Sequence, residues 1–193
     1  DALLEIADLN EFTQFTLTLK TKNGLPYYGQ IQIPKSQYLF LMLRDEGVHL
    51  EYAEQIEGAR TQIAFIVIDE RSGERTVIWK RDKKLWYGAD EVPLEAAGRA
   101  KVLHLTPHDV KACLAMAKRA KGERAIVSVD IDNLFEGVHE LLSYVDIFVA
   151  SADFPQKLLG TRDRREALLE IRSMFGCGVV AVTLGEAGSL LLC

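Results

Sequence analysis

The chain predicts an α/β fold: a mostly parallel sheet flanked by helices, with a small β lid. Three observations carry this. After Ala100, strand-like and helix-like segments alternate. The strand-like ones are short continuous apolar runs, as expected of parallel strands buried on both faces. Before Ala100, apolar and polar residues instead alternate one by one in segments joined by turn residues, the pattern of half-exposed hairpins. With 193 residues the chain is long enough for one well-buried domain.

In chain order, residues 2–6 and 15–20 read as strands, Asn23-Gly24 as a turn, and residues 28–33 as the returning strand. Ser36 caps a helix over 37–46 that Gly47 ends. Residues 62–68 and 75–79 form a second hairpin, with Gly73 supplying the awkward turn conformation. Residues 12–33 and 61–80 are therefore expected as lid-like β segments. Residues 102–105 are a short buried strand. Thr106-Pro107-His108-Asp109 then reads as a helix entry, a hydroxyl cap followed by proline in the first turn. Val110, Cys113, Leu114 and Ala117 mark a helix over 110–121 closed by Gly122. Strands follow at 125–129, 147–150 and 179–182, and helices at 135–142, 154–159 (ended by Gly160) and 164–175. The last helix has an apolar face of Ala167, Leu168, Ile171 and Phe175. Residues 189–192 resume as a strand. The βαβαβαβ order predicts right-handed crossovers with helices on both faces of the sheet.

Composition narrows the function classes. A formal net charge of −5 argues against a nucleic-acid-coating surface. The basic clusters Lys80-Arg81-Asp82-Lys83-Lys84 and Arg162-Asp163-Arg164-Arg165 are interrupted by acids and read as solvated faces. Three widely spaced cysteines give neither a disulfide framework nor a zinc pattern. Cys113 and Cys177 read as core or near-core thiols, and a reduced, cytoplasmic protein is the default. No apolar run approaches the roughly 20 residues of a membrane span, and no signal peptide is visible. No Ser-His-Asp arrangement is supported. His104 lies inside an apolar strand and reads as a packed histidine, whereas His108 is better exposed.

In open α/β sheets, ligands sit past the carboxyl ends of strands. Thr183, Gly185 and Gly188 lie at such an end, where a hydroxyl and two glycines let a backbone approach a ligand. The same glycines would equally shape a strand-to-strand turn. Ser151 and Asp153 lie past another strand end, and helix capping is an equal reading for either. Asp130 and Asp132 could order water around a cation, or simply face solvent.

Several segments in order resemble the PfkB, or ribokinase-like, family of sugar kinases. Leu43-Arg44-Asp45-Glu46-Gly47-Val48 resembles its "L-x-x-x-G-V" segment. Arg60-Thr61-Gln62 with Asp69, Gly73, Glu74 and Arg75 resembles its "T…D…G-E-R" hairpin. Leu103-His104-Leu105 followed by His108-Asp109 is similar to a sugar-facing strand end, and Val129-Asp130-Ile131-Asp132 to a "D-x-N/D" strand end. Tyr144-Val145-Asp146-Ile147 through Leu158-Leu159-Gly160 resembles the "aD-i-l…l-G" block, and Thr183 to Gly188 resembles "T-x-G-x-x-G". Asp8-Leu9-Asn10 resembles the first strand end, which holds sugar hydroxyls. The resemblance implies a ribokinase-like fold and ATP-dependent phosphoryl transfer to a carbohydrate hydroxyl. It implies nucleotide binding by Ser151, Asp153, Thr183, Gly185 and Gly188, substrate binding by Asp8, Asn10 and His108, and Mg²⁺ near Asp130 and Asp132.

The amino-terminal Gly-Gly motif and the "D-T-x-G-A-G-D" signature, which carries the base and anion hole, are not found. Ser151-Ala152-Asp153-Phe154 replaces "N-x-x-E", as Ser does in some ketohexokinase-like members. Residues 1–193 are accordingly expected to be a single truncated α/β domain with no catalytic residue of its own, inactive as a kinase. The expected partners are a small-molecule sugar and a nucleotide, with no nucleic acid or membrane, and a second copy paired through exposed lid strands. The alternative is a non-catalytic α/β scaffold or weak nucleotide-binding module, a fragment or a designed chain.

Overall fold

The computed structural model describes residues 3–9, 12–20, 26–34, 44–68, 71 and 75–193. The chain forms two compact units, Asp1–Gly58 and Ala59–Cys193.

The first unit holds a three-stranded antiparallel sheet of β1 (Leu3–Leu9), β2 (Phe12–Lys20) and β3 (Pro26–Pro34), in that order. Each strand is longer than the sequence pattern suggests. Register pairs Phe15 with Ile31 and Ile6 with Phe15, which lines up the apolar positions on one face. The Asn23-Gly24 turn and most of the helix expected over 37–46 fall outside the described residues. Gly47 does take the left-handed conformation (φ +78°), with its N–H donating to the Arg44 carbonyl.

The second unit opens with an antiparallel hairpin of β4 (Ile63–Ile68) and β5 (Arg75–Lys80). The turn assigned to Gly73 lies outside the described residues. A 3₁₀ turn (Lys83–Leu85) and a short helix α1 (Leu94–Arg99) lead into the main body. There β6 (Val102–Leu105), β7 (Ile126–Ile131), β8 (Ile147–Ser151) and β9 (Val179–Thr183) run parallel, and β10 (Ser189–Leu192) closes the edge antiparallel to β9. The fold class is α/β with a mostly parallel sheet flanked by helices, and the small antiparallel sheets fit lid strands.

The helices α2 (Val110–Gly122), α3 (Val138–Leu142), α4 (Phe154–Leu159) and α5 (Arg164–Phe175) connect the parallel strands. They cover one face of the sheet, not both. The strand order runs 10-9-8-7-6 without reversal, so right-handed crossovers all return on the same side. Burial agrees. Leu103, Leu105, Val127, Val129, Ile131, Phe148, Ala150, Val180 and Val182 are buried beneath the helices, and Phe148 meets Phe154 of α4 at 5.7 Å between ring centroids. On the opposite face Val102, Ile126 and Leu191 remain 55%, 45% and 57% exposed. His104 lies on that open face as well, exposed rather than packed, with Nδ1 3.3 Å from Ser128 Oγ.

Local chemistry shifts several boundaries. The cap position of α2 is Asp109, not Thr106, and the left-handed residue after it is Arg124 (φ +64°), not Gly122. Helix α3 starts at Val138 rather than at 135, because Gly137 before it takes φ +81°. Asp163 caps α5 by accepting from the N–H groups of Arg165 and Glu166, and Gly176 (φ +71°) ends it.

Candidate functional site

Because β6 to β9 are parallel, their carboxyl ends, Leu105, Ile131, Ser151 and Thr183, share one rim. Every candidate residue of the second unit lies on or just past it. His108 follows β6, Asp130 and Asp132 bracket the end of β7, Ser151 and Asp153 follow in β8 and at the start of α4, and Thr183, Gly185 and Gly188 follow at the end of β9. Asp8 lies in β1 of the first unit, paired with Thr13. Asn10 lies outside the described residues.

Ser151 and Thr183 are register partners on adjacent strands, which brings two hydroxyls together. Thr183 Oγ1 donates to the Ala150 carbonyl at 3.4 Å. Residues 184–188 form a tight turn in which the Leu184 N–H donates to the Gly188 carbonyl at 2.7 Å. Gly185 (φ +59°) and Gly188 (φ +85°) supply left-handed conformations there, so the turn-forming reading of these glycines holds. A Cβ added at either would meet nothing within 4 Å, so the turn also stands open on its outer side. Asp153 occupies the cap position of α4, yet its side chain makes no capping hydrogen bond.

Asp130 and Asp132 are both exposed. Lys157 of α4 donates its Nζ to the Asp132 carbonyl at 3.2 Å and to Asn133 Oδ1 at 3.4 Å. Among the described residues no group of three or more His, Cys, Asp or Glu gathers as a ready metal cage.

His108 stands between two rings, Trp79 of β5 at 6.1 Å and Phe135 at 5.8 Å between centroids. Beside it, Arg81 Nη2 lies 2.7 Å from Asp109 Oδ2. Sequence reasoning missed Trp79, Arg81, Phe135 and Lys157. Arg81 stood inside a basic cluster read as solvated, but this cation is half-buried and paired. Burial pushes the Cys113 and Cys177 thiols each up to about 11, which disfavours their thiolates.

The model of the pfkB family of carbohydrate kinases matches residues 27–192. The chain belongs to this family. No curated protein matches it. Among solved structures, this pfkB-family chain is similar to the adenosine kinase from Sinorhizobium meliloti, with 19% identity, a TM-score of 0.66, and coverage of 86% of this chain and 62% of that one. Ribokinase from Giardia lamblia gives 16% identity and a TM-score of 0.65, covering 87% and 64%. A candidate ribokinase II from E. coli, solved in complex with ATP and Mg²⁺, gives 20% and 0.59, covering 79% and 54%. The chain thus spans between 54% and 64% of the length of these relatives. At such identities the likeness shows the fold, which is the ribokinase-like one.

Proposed function

We propose that this chain forms the nucleotide- and sugar-facing rim of an ATP-dependent carbohydrate kinase. One observation carries the reading: the polar residues singled out in the sequence converge on the carboxyl-end rim of four parallel strands, within a stretch matched by the family model. Ser151, Asp153, Thr183 and the open turn at Gly185 and Gly188 face the nucleotide. The Ser151 hydroxyl, and turn N–H groups other than those of Leu184, Ala187 and Gly188 that bond within the turn, are donors suited to phosphate oxygens. His108 binds the sugar from the rim, and Asp8 and Asn10 stay candidates for sugar hydroxyls on the family resemblance alone. Asp130 and Asp132 would hold Mg²⁺ through its water shell, and the ion would supply positive charge against that of the phosphates.

The antiparallel sheets act as lid strands, and their unpaired edges join two copies into a homodimer. The setting is the cytoplasm. No segment among the 193 residues supplies the family's "G-A-G-D" base and anion hole, so these residues alone bind nucleotide without transferring phosphate.

The test is a thermal-shift titration with ATP and Mg²⁺. A saturable rise in Tm is expected, because a ligand bound only by the folded state stabilises it by RT ln(1 + [L]/Kd). Ser151→Ala with Thr183→Val should abolish the rise and leave the Tm without ligand within a few degrees. No shift at millimolar Mg·ATP rules out the nucleotide reading. It would favour the second one, a non-catalytic scaffold, to which the exposed sheet face around Val102, Ile126 and Leu191 also points.

A further inference from the structure

We propose that Arg81 and Asp109 form a joint that fixes the β4–β5 hairpin to the sheet rim and thereby positions His108. Asp109 occupies the N-cap position of α2, where an aspartate ordinarily accepts from the helix's free N–H groups. Here its side chain makes no capping hydrogen bond. Its Oδ2 instead takes Arg81 Nη2 at 2.7 Å, across 28 residues of sequence. The local helix gives up a cap so that two distant segments can be linked.

The pair is built to hold. Its side chains are 16% and 15% exposed, whereas the other described ion pairs run from 35% to 59%. Salt and water screen it correspondingly less. Arg81 also donates to the Leu85 carbonyl, which fixes the guanidinium on a second partner. The next residue, Asp82, ties the two legs of the hairpin stem together. Its Oδ2 accepts from the Arg60 N–H and its Oδ1 from the Lys84 N–H, each at 3.0 Å.

These hydrogen bonds hold the Asp82 carboxyl below its ordinary range. One residue before the joint's strand ends, Trp79 reaches His108, which in turn meets Phe135 of the loop before α3. Hairpin stem, the loop after β6 and the loop after β7 therefore meet at one point. A shift of the stem moves His108 with it, and Arg81 is a positioning residue rather than a catalytic one. The joint stands on these contacts whether or not the rim binds a nucleotide.

Hydrogen exchange on the full chain tests it. Asp109→Ser keeps a capping residue for α2 but removes the carboxylate. Arg81→Met removes the cation and leaves Asp109 in place. In both, amides of Ile63–Ile68 and Arg75–Lys80 should exchange about tenfold faster or more, while those of β7, β8 and α2 stay as in the parent. In a Trp86→Phe background, acrylamide should quench Trp79 more strongly. Arg81→Lys, which keeps the charge but loses the planar, pre-organised guanidinium that holds both bonds from Nη2, should fall between parent and Arg81→Met, and it decides the matter if Arg81→Met does not fold. Unchanged hairpin exchange in these variants, or loss of protection in α2 rather than the hairpin for Asp109→Ser, would overturn the joint.

Discussion

Asp146 holds β7 through its side chain and backbone, and β9 through its carbonyl. Its Oδ2 accepts the Val127 N–H at 2.8 Å and its Oδ1 meets Lys121 Nζ at 2.7 Å. Its own backbone N–H donates to the Val127 carbonyl, and its carbonyl accepts from Val179. Asp146→Ala leaves the Val127 N–H without its acceptor and should cost about 1–3 kcal/mol. Asp146→Asn keeps an acceptor oxygen, and Lys121→Ala removes only a partly exposed ion pair, so each should cost less than about 1 kcal/mol. Urea unfolding of the three variants checks the order.

The thiols carry a pH prediction. Cys113 and Cys177 sit at about 11 in the folded chain because burial disfavours the thiolate, against a reference of 9.0. Below pH 9 both states are protonated and stability is unaffected. As pH climbs from 9 towards 11 the unfolded chain releases protons that the folded chain keeps. Stability should therefore fall over this range, by about 1 kcal/mol per thiol once partial solvent exposure is discounted. Cysteine-to-serine variants should flatten that alkaline limb, as measured by unfolding at pH 8 and pH 10.5. At this scale the sequence showed which residues are polar at strand ends, but not Arg81. An ion pair spanning 28 residues leaves no period or motif to read.

Helix α5 and helix α3 mark the range of what local sequence determines. In α5 the cap, the apolar spacing and the terminal glycine all agree, and the expected bounds are the observed ones. In α3 the periodicity extends back to Phe135, but Gly137 at φ +81° breaks it, and backbone dihedrals are invisible to a hydrophobic pattern. The entry to α2 was misplaced for a related reason. Thr106 and Asp109 are both good caps by local preference, and Asp109 holds the cap position while its side chain pairs with Arg81.

Two substitutions follow for these termini. Asp163→Ala removes the acceptor for two N–H groups of α5 and should cost about 1 kcal/mol. Arg124→Gly relieves a left-handed conformation that only glycine adopts freely, and should gain up to about 1 kcal/mol. Paired chemical unfolding with the parent chain reads both signs. A loss for Arg124→Gly would mean that the Arg124 side chain contributes more than the backbone strain costs.

The sheet as a whole is asymmetric, and that asymmetry was not legible in advance. Continuous apolar runs suggested strands covered on both faces, since a run such as Val179-Val180-Ala181-Val182 has no polar side. Which face is covered depends on strand order, and the one-way order 10-9-8-7-6 places all crossovers together. Neighbouring residues of one strand thus live in opposite surroundings. Ile126 is 45% exposed, whereas Val127 beside it is fully buried.

This predicts opposite outcomes for the same kind of change one residue apart. Val127→Thr puts a hydroxyl into the packed face and should cost about 1–3 kcal/mol. Ile126→Thr, alone or with Val102→Thr and Leu191→Thr, alters a solvent-facing surface and should stay within about 0.5 kcal/mol per site. The triple variant should also bind a hydrophobic dye more weakly than the parent, because Val102 and Ile126 are register partners that stand exposed side by side. Urea unfolding and dye titration on the same samples separate the two faces. Equal destabilisation by Ile126→Thr and Val127→Thr would mean that both faces are covered, and the one-sided arrangement of the helices would have to be abandoned.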